Sequence, residues 1–535
     1  MEEQKILLTT AISYTNGSPH IGHLYEAVLA DFIKRVYQII GTNIKLLTGT
    51  DEHGKKIQTT AQEQGLEPIE LCNKYSKEFE QMNQKLNSSY DYFIRTTNQT
   101  HKELVIETIK NILKLQDITN PTIYLGEYSG YYNVREECYI TEIQASQTNY
   151  LDPVTFKPYE IVKEPTYYFT QSKFIDNIND CICKINPPEF WEEIKSRLDK
   201  GLDDLSITRT SFSWGIQFPD FSLLNNIDNH VVYVWFDALL NYITGKNILY
   251  GIDNQNIKPI HLIGKDILWF HSVIYPAILK ASGYDNLMPW KILTHGFVLD
   301  KDGKKMSKSL GNVISNHELF ELYPVDSIRY YLITNTILGK DFKFDPDNLI
   351  GSYNNILIKD FGNLFQRLLK ITKPIQSELN KYFVQNIQII TDKKHLYCLK
   401  VNKFTDNWDF LEYNNLLSSL ITNSNKILTE KKPWSTEIVG SIDEQIKVLA
   451  TILIDFNIEM CLMYPIIPEK VLKLSSYFGW TNKLFLDSYD IQILIDESIG
   501  KIIAFETIKP IKPIEQIEIQ IKNNKNNKNN KNNKN

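Results

Sequence analysis

The stretch Ser18-Pro19-His20-Ile21-Gly22-His23 lies between an apolar run, Ile6 to Ile12, and a long amphipathic segment, so it marks a strand running directly into a helix near the start of the chain. Pro19 has the backbone angle suited to a first helical position, and Ser18 before it can cap the free N–H groups, which predicts a helix starting there. From Ile21 onward Leu24, Tyr25, Val28, Leu29, Phe32 and Val36 recur at steps of three and four, drawing one buried stripe. That leaves the first turn free for chemistry. His20 and His23 share the face of a helix end whose N–H groups and dipole favour an anion, a seat for phosphate. Gly22 costs about 1 kcal/mol against alanine inside a helix, a cost that makes sense where something flat, such as an adenine ring, lies on the backbone. Read in isolation, the two histidines can equally cap a surface helix with Gly22 packing on a neighbour, or supply half of a zinc site.

The rest of the first 114 residues alternates strand-like runs (Lys5 to Ile12, Asn43 to Leu47) with helix-like ones (His20 to Ile40, Gly54 to Gln64, Pro68 to Leu86), the order of an α/β fold with a parallel sheet. Ligands of such sheets sit beyond the carboxyl ends of the strands. Both the histidine turn and Thr48-Gly49-Thr50-Asp51-Glu52-His53-Gly54 fall at such ends. The second segment is a near miss to a phosphate-binding P-loop: Lys56 stands where a magnesium-holding Ser or Thr belongs, and Asp51 and Glu52 put negative charge where phosphates would lie. A carboxylate at that place suits an ammonium group, which makes Asp51 the candidate for a substrate amine.

From about 115 to 227 short strands and turns rich in Tyr and Pro give way to a helix-like stretch, Glu189 to Leu198, the texture of an insertion. The apolar run His230 to Phe236 is expected to resume the sheet, and Lys258 to Ile263 to add another strand. After the first come Trp235, Ala238, Leu239 and Tyr242 at helical spacing, a stripe that serves either as core or as a pocket wall. After the second, Gly264-Lys265-Asp266 turns into a helix, with Asp266 placed either to cap it or to hold a ribose hydroxyl. Further on, Lys304-Lys305-Met306-Ser307-Lys308-Ser309 sits between glycines, the composition of a solvated loop or of a mobile flap whose lysines meet phosphate oxygens.

His20-Ile21-Gly22-His23 and Lys305-Met306-Ser307-Lys308-Ser309 match letter for letter the two signatures of the class I aminoacyl-tRNA synthetases, in the right order on an α/β pattern. Over most of its length, to about residue 480, the sequence resembles the methionyl-tRNA synthetase family: Thr10 to Gly17, Gly49 to Gly54, Tyr233 to Ala238 and Ile263 to Asp266 all look like its segments. The resemblance implies a Rossmann-type parallel-sheet domain in two halves (1–114 and 228–293) around a connective insertion (115–227), a linker region with the lysine loop (294–348), an all-α anticodon-binding bundle (349–500) and a tail (501–535). It implies a methionine pocket from Ile12, Tyr14, Asp51, Trp235, Ala238, Leu239, Tyr242 and His271. ATP, with Mg2+, is then held by His20, Gly22, His23, Gly264, Asp266, His295, Gly296, Lys305 and Lys308, with Arg209 near the reacting carboxylate. Catalysis is assigned to His20, His23, Lys305, Lys308 and Arg209, with Lys308 foremost, and anticodon reading to Asn354, Asn355, Lys359 and Trp434. Lys359 stands where some members carry arginine.

Many relatives carry zinc knuckles in the insertion. Here Asn133 and Glu136 occupy the expected cysteine positions, so no zinc is expected, as in the zinc-less branch. The six scattered cysteines fit a reducing compartment. No apolar run nears the roughly 18 residues of a membrane span, and the first strand begins too close to Met1 for a leader peptide, so a cytoplasmic protein is expected, with an organellar one as the alternative. A net charge of −6 argues against nonspecific nucleic-acid coating, though a shaped RNA such as tRNA for methionine needs only a local basic face. Asn523 to Asn535 repeats Asn-Asn-Lys, a low-complexity segment, and no appended tRNA-binding domain is seen, so a monomer is expected. The expected function is a methionine–tRNA ligase; the rivals are an RNA-binding relative without catalysis and a class I synthetase for another amino acid.

Overall fold

A computed structural model describes residues 5–117, 119–133, 138–140, 142–153, 156–219, 229–306, 312, 314–435, 440–478 and 480. The first β-strand, β1 (Lys5–Thr10), has Ile6, Leu7 and Leu8 almost wholly buried, as a strand covered on both faces of a parallel sheet requires. The chain continues through β2 (Ser13–Tyr14), α1 (Ile21–Ile39), β3 (Asn43–Asp51), α2 (Lys55–Glu63), α3 (Pro68–Lys85), β4 (Tyr92–Arg95) and α4 (Gln99–Leu115). An antiparallel sheet follows, ordered β6-β5-β7-β9, from β5 (Ile123–Asn133), β6 (Cys138–Ile140), β7 (Glu160–Phe169) and β9 (Leu205–Ser206), with β8 (Ile185–Asn186) between the last two in sequence. Next come β10 (Thr208–Arg209), β11 (Val231–Val232), β12 (Ile257–Gly264) and β13 (Lys291–His295). The main sheet is parallel and ordered β2-β3-β1-β12-β13-β8, with β4 also on β3.

Two features of this sheet place the site. The chain leaves β1 through α1 to β3 on one side, while β12 flanks β1 on the other, so the strand order reverses at β1 and opens a crevice at its carboxyl end. There Thr9 lies opposite Leu47 but Ser13 lies opposite Thr50, which sets one residue more on the first strand than on its partner. This bulge between β1 and β2 turns Ala11 and Ile12 out of regular pairing and toward the crevice.

Three expectations are corrected. The run from His230 to Phe236 does not rejoin the main sheet: only Val231–Val232 is extended, it pairs antiparallel with Thr208–Arg209, and a helix begins at Val234. A short continuous apolar run fits a buried strand and a buried helix equally, and here the helix wins. The span 115–227 is not wholly separate from the parallel sheet, because β8 pairs with β13 at its edge. Finally, α1 starts two residues later than Pro19, at Ile21, with His20 as its cap.

The helical part of the chain is bolted to α1. The fully buried Asp31 accepts from Arg35 Nε at 2.9 Å, Arg329 Nη2 at 2.6 Å and Ser89 Oγ at 2.6 Å. Burial pushes this carboxyl upward, but the two guanidinium groups outweigh it and hold it below the usual range. Arg329, on the helix Val325–Thr334, also donates to the backbone carbonyls of Leu86, Pro465 and Ile466. Beyond residue 346 the described chain is almost entirely helical, and its core is continuous with the α1 side of the sheet.

Candidate active site

A cleft of about 450 Å³ opens at the carboxyl ends of β1, β12 and β13. Its apolar end is walled by Ile12, Tyr14, Trp235, Ala238, Leu239, Tyr242 and His271, with Asp51 as its carboxylate. The other end is lined by His20, Gly22, His23, Gly264, Asp266, His295, Gly296, Lys305 and Met306. Thus every residue assigned above to the amino-acid pocket, and every described one assigned to the nucleotide, lies in one cleft. Lys308 lies outside the described residues.

The start of α1 shows how the two histidines are held. His20 Nδ1 accepts from Gly22 N at 3.1 Å, and His23 Nδ1 accepts from His20 N at 3.1 Å, a reciprocal cap built from imidazoles in place of the Ser18 cap expected. Both Nδ1 atoms being acceptors, the neutral rings carry their protons on Nε2, the form that donates to an oxyanion. The rings stack at 3.9 Å. A Cβ at position 22 would sit 3.0 Å from the His20 ring, so the glycine gives the capping ring room, a reason internal to the chain.

His20 also forms a β-bridge with Ser315, just beyond the lysine loop, and Lys305 bridges to Leu299. Lys305 and Met306, the described residues of the second signature, therefore line the same cleft as His20 and His23, with Lys305 Nζ resting 4.0 Å from the centre of the Phe297 ring. At Gly296 a Cβ would fall 2.2 Å from the carbonyl oxygen of Lys340, so only glycine lets those two loop segments pass so close.

Across the cleft, His295 Nε2 lies 3.0 Å from Glu26 Oε2 and Nδ1 lies 2.9 Å from the Gly296 carbonyl. Burial works against the imidazolium, yet the Glu26 carboxylate outweighs it and raises the His295 pKa. Sequence reasoning missed Glu26, although it stands three residues after His23 and so on the same helical face. It also missed Phe270, whose ring lies 3.8 Å from that of Trp235 and backs the apolar wall.

His271 is neutral: burial pushes its pKa down to about 4. Its Nδ1 donates to the Ile267 carbonyl at 3.0 Å, so Nε2 accepts from the Tyr242 hydroxyl at 2.7 Å. The apolar end thus presents rings and a satisfied hydroxyl, with two charged side chains beside them, Asp51 and Lys56, whose Nζ stands 5.6 Å from the centre of the Tyr14 ring.

Arg209 does not line the cleft among the described residues. It is buried behind the wall, 4.3 Å from the Tyr233 ring, with Nη1 donating to the Thr208 carbonyl at 2.8 Å. Asn354, Asn355 and Lys359 share the helical segment Tyr353–Gly362, where Lys359 Nζ donates to Asn355 Oδ1 at 2.9 Å. Trp434 is 47% exposed, and the Arg367 guanidinium stands 5.7 Å from its ring. In the insertion, Asn133 donates to Asp152 Oδ2 at 2.7 Å, while Glu136 lies outside the described residues. Among the described residues no group of three or more His, Cys, Asp or Glu is placed to hold a metal ion, and no helix is long and apolar enough to cross a membrane.

Residues 6–150 and 152–369 match the family of tRNA synthetases class I (M). The methionine–tRNA ligase of Halalkalibacterium halodurans is 36% identical, over 81% of this chain and 67% of that one. That of Listeria monocytogenes is 33% identical, over 90% and 76%. The structure of Mycobacterium tuberculosis methionyl-tRNA synthetase in complex with methionyl-adenylate superimposes with a TM-score of 0.80 at 30% identity, covering 94% of this chain and 99% of that one. The free state of the same enzyme gives 0.74. A reversing parallel sheet, a histidine-capped helix and a lysine loop around one cleft define a class I aminoacyl-tRNA synthetase. Within that class the chain belongs to the methionine–tRNA ligases.

Proposed function

We propose that the cleft makes methionyl-adenylate, with the methionine ammonium held at Asp51, its side chain laid against Trp235, Ala238, Leu239, Tyr242 and His271, and MgATP spread from Gly264 and His295 to His20 and His23. As a member of its family the chain activates methionine with ATP, releases pyrophosphate and charges tRNA. The methionine carboxylate attacks the α-phosphorus, so charge develops on phosphate oxygens and catalysis is a matter of placing reactants and opposing that charge. The Nε2–H groups of His20 and His23 donate from one side; Lys305 and Lys308 close from the other. Asp266 reaches a ribose hydroxyl. Arg209, held behind the wall, steadies the Tyr233 turn from which the pocket helix starts, and in this reading contributes charge from there.

A neutral His271 matters to specificity. An imidazolium in the pocket would repel the substrate ammonium and demand water, whereas a neutral ring beside Tyr242 offers a thioether weak sulfur–ring contacts of about 0.3–1.5 kcal/mol. For charging, Asn354, Asn355, Lys359 and Trp434 read the anticodon, the tryptophan stacking on an unpaired base for about 1–3 kcal/mol. The insertion works without zinc: the Asn133–Asp152 hydrogen bond ties it at the place where a cysteine ligand is expected, and elemental analysis of the purified chain finding stoichiometric zinc would refute this.

The observation that carries the assignment is the convergence of Asp51, the aromatic wall, the histidine cap and Lys305 on one cleft. A crystal structure with a non-hydrolysable methionyl-adenylate tests it. The ammonium is expected within hydrogen-bond distance of Asp51 and the phosphate beside His20 and His23; a ligand seated elsewhere, or reversed, overturns the assignment.

A further inference from the structure

Asp237 sits between Trp235 and Ala238 on the helix Val234–Leu239, yet it does not line the cleft. Its carboxylate is fully buried on the far side of the wall, where Oδ2 lies 2.6 Å from His53 Nδ1 and Oδ1 lies 2.7 Å from His101 Nε2. His101, on α4, extends the chain of contacts through Nδ1 to Thr244 Oγ1 at 2.9 Å, on the helix Asn241–Tyr250 that carries Tyr242. His53 is two residues beyond Asp51, and its backbone carbonyl accepts from the Tyr14 hydroxyl at 2.9 Å. Every member is nearly or wholly out of water.

One carboxylate thus joins three elements: the end of β3 that presents Asp51, the helix that presents Trp235, Ala238 and Leu239, and the helix that presents Tyr242. Burial alone would drive the Asp237 proton on, but His53 and His101 hold the carboxyl at about 2, so the group is ionised and both imidazoles donate to it. Directional bonds of this kind fix distances that apolar packing leaves adjustable. The same loop is braced on its other side: Glu52 accepts from Arg95 Nε at 2.6 Å and from Thr50 Oγ1 at 2.8 Å, and its carbonyl accepts from Trp214 Nε1 at 2.6 Å. Asp51 is the acid of this segment left to face the cleft.

We propose that Asp237 is a positioning residue for amino-acid recognition: through His53 and His101 it sets the distance between the carboxylate that takes the substrate amine and the aromatic wall that takes its side chain. The nucleotide end has no share in this network, so loosening it acts on methionine and not on ATP. The inference rests on the assignment of Asp51 and Trp235 made above.

The test is amino-acid-dependent exchange of labelled pyrophosphate into ATP by the full chain, with KM determined separately for methionine and ATP, in Asp237→Asn, His101→Gln and Thr244→Val. In Asp237→Asn the methionine KM is expected to rise about tenfold or more, with the ATP KM within about twofold. The two outer variants, which keep the Asp237 charge, are expected to give smaller rises in the same KM, and they decide the matter on the same criterion if Asp237→Asn does not fold. A methionine KM within about twofold of the unaltered chain, or both KM values rising together, overturns the proposal. Asp51→Asn is the control: if it raises the methionine KM while the Asp237 network does not, the positioning role fails alone, and if it leaves that KM unchanged the assignment of Asp51 fails first.

Discussion

His295 donates from Nε2 to Glu26 at 3.0 Å, joining the end of β13 to the first turns of α1 across the nucleotide end of the cleft. Both ring nitrogens face acceptors, so the imidazolium is the form that satisfies the site. A histidine whose folded pKa is raised adds stability that is complete below its unfolded value of about 6.5 and is lost as pH climbs through the folded value. Histidine NMR titration is expected to place the His295 midpoint above 6.5, and Glu26→Gln to lower it. An unshifted midpoint in the variant would show that the carboxylate does not hold this proton.

Asp31 is the joint between α1 and the helical part, carrying two guanidinium groups in a dry interior. Removing one partner of such a set strands the other charge, at a cost of about 3–5 kcal/mol. Asp31→Ala is therefore expected to lower the urea midpoint by the equivalent amount. A loss below about 1 kcal/mol would mean that packing, not this ion cluster, holds the joint.

Glu459 is wholly buried in the helical part and accepts from Ser424 Oγ at 2.6 Å; burial pushes its pKa up to about 8. The folded state therefore keeps a proton that the unfolded chain gives up near its ordinary value, so stability falls as pH rises from that value through about 8. Glu459→Gln mimics the neutral acid. It is expected to melt at least about 2 °C above the unaltered chain at pH 9, with the difference shrinking toward pH 5. Equal melting temperatures at pH 9 would contradict a neutral buried Glu459.

Lys305 reaches the cleft from the loop side, resting on Phe297. If it opposes charge on the departing pyrophosphate, Lys305→Ala is expected to lower the rate of adenylate formation by about a hundredfold or more, the scale seen when one such stabilising group is removed, while methionine KM stays near its original value. Single-turnover measurement separates the two. A methionine KM that rises with an unchanged rate would place this lysine in binding instead.

The parts of the account that were legible in the sequence are those where chemistry is concentrated in a few adjacent residues. The histidine turn, Asp51 and the Gly264 turn line the cleft because each lies at or just past the carboxyl end of a strand of the parallel sheet, and periodicity marks where a strand ends; the stripe from Trp235 to Tyr242, on helices that follow the short antiparallel strand β11, was legible from its helical spacing instead. What could not be read depends on pairs far apart in the chain. The bulge between β1 and β2 is a matter of register with β3, Asp31 meets Arg329 across 298 positions, and Asp237 meets His53 across 184. Local rules also misjudged details where an unusual residue took over a common task. Imidazoles cap α1 where Ser18 seemed the natural choice, because a ring nitrogen two or three residues along reaches the same N–H groups.

The central claim is that one cleft couples methionine to ATP. Exchange of labelled pyrophosphate into ATP, measured with each of the twenty amino acids in turn, tests it most directly. Methionine alone is expected to drive exchange well above background, and the signal is expected to fall sharply in Asp51→Asn and in His20→Ala. Exchange driven by a different amino acid, or none with methionine, would contradict the account.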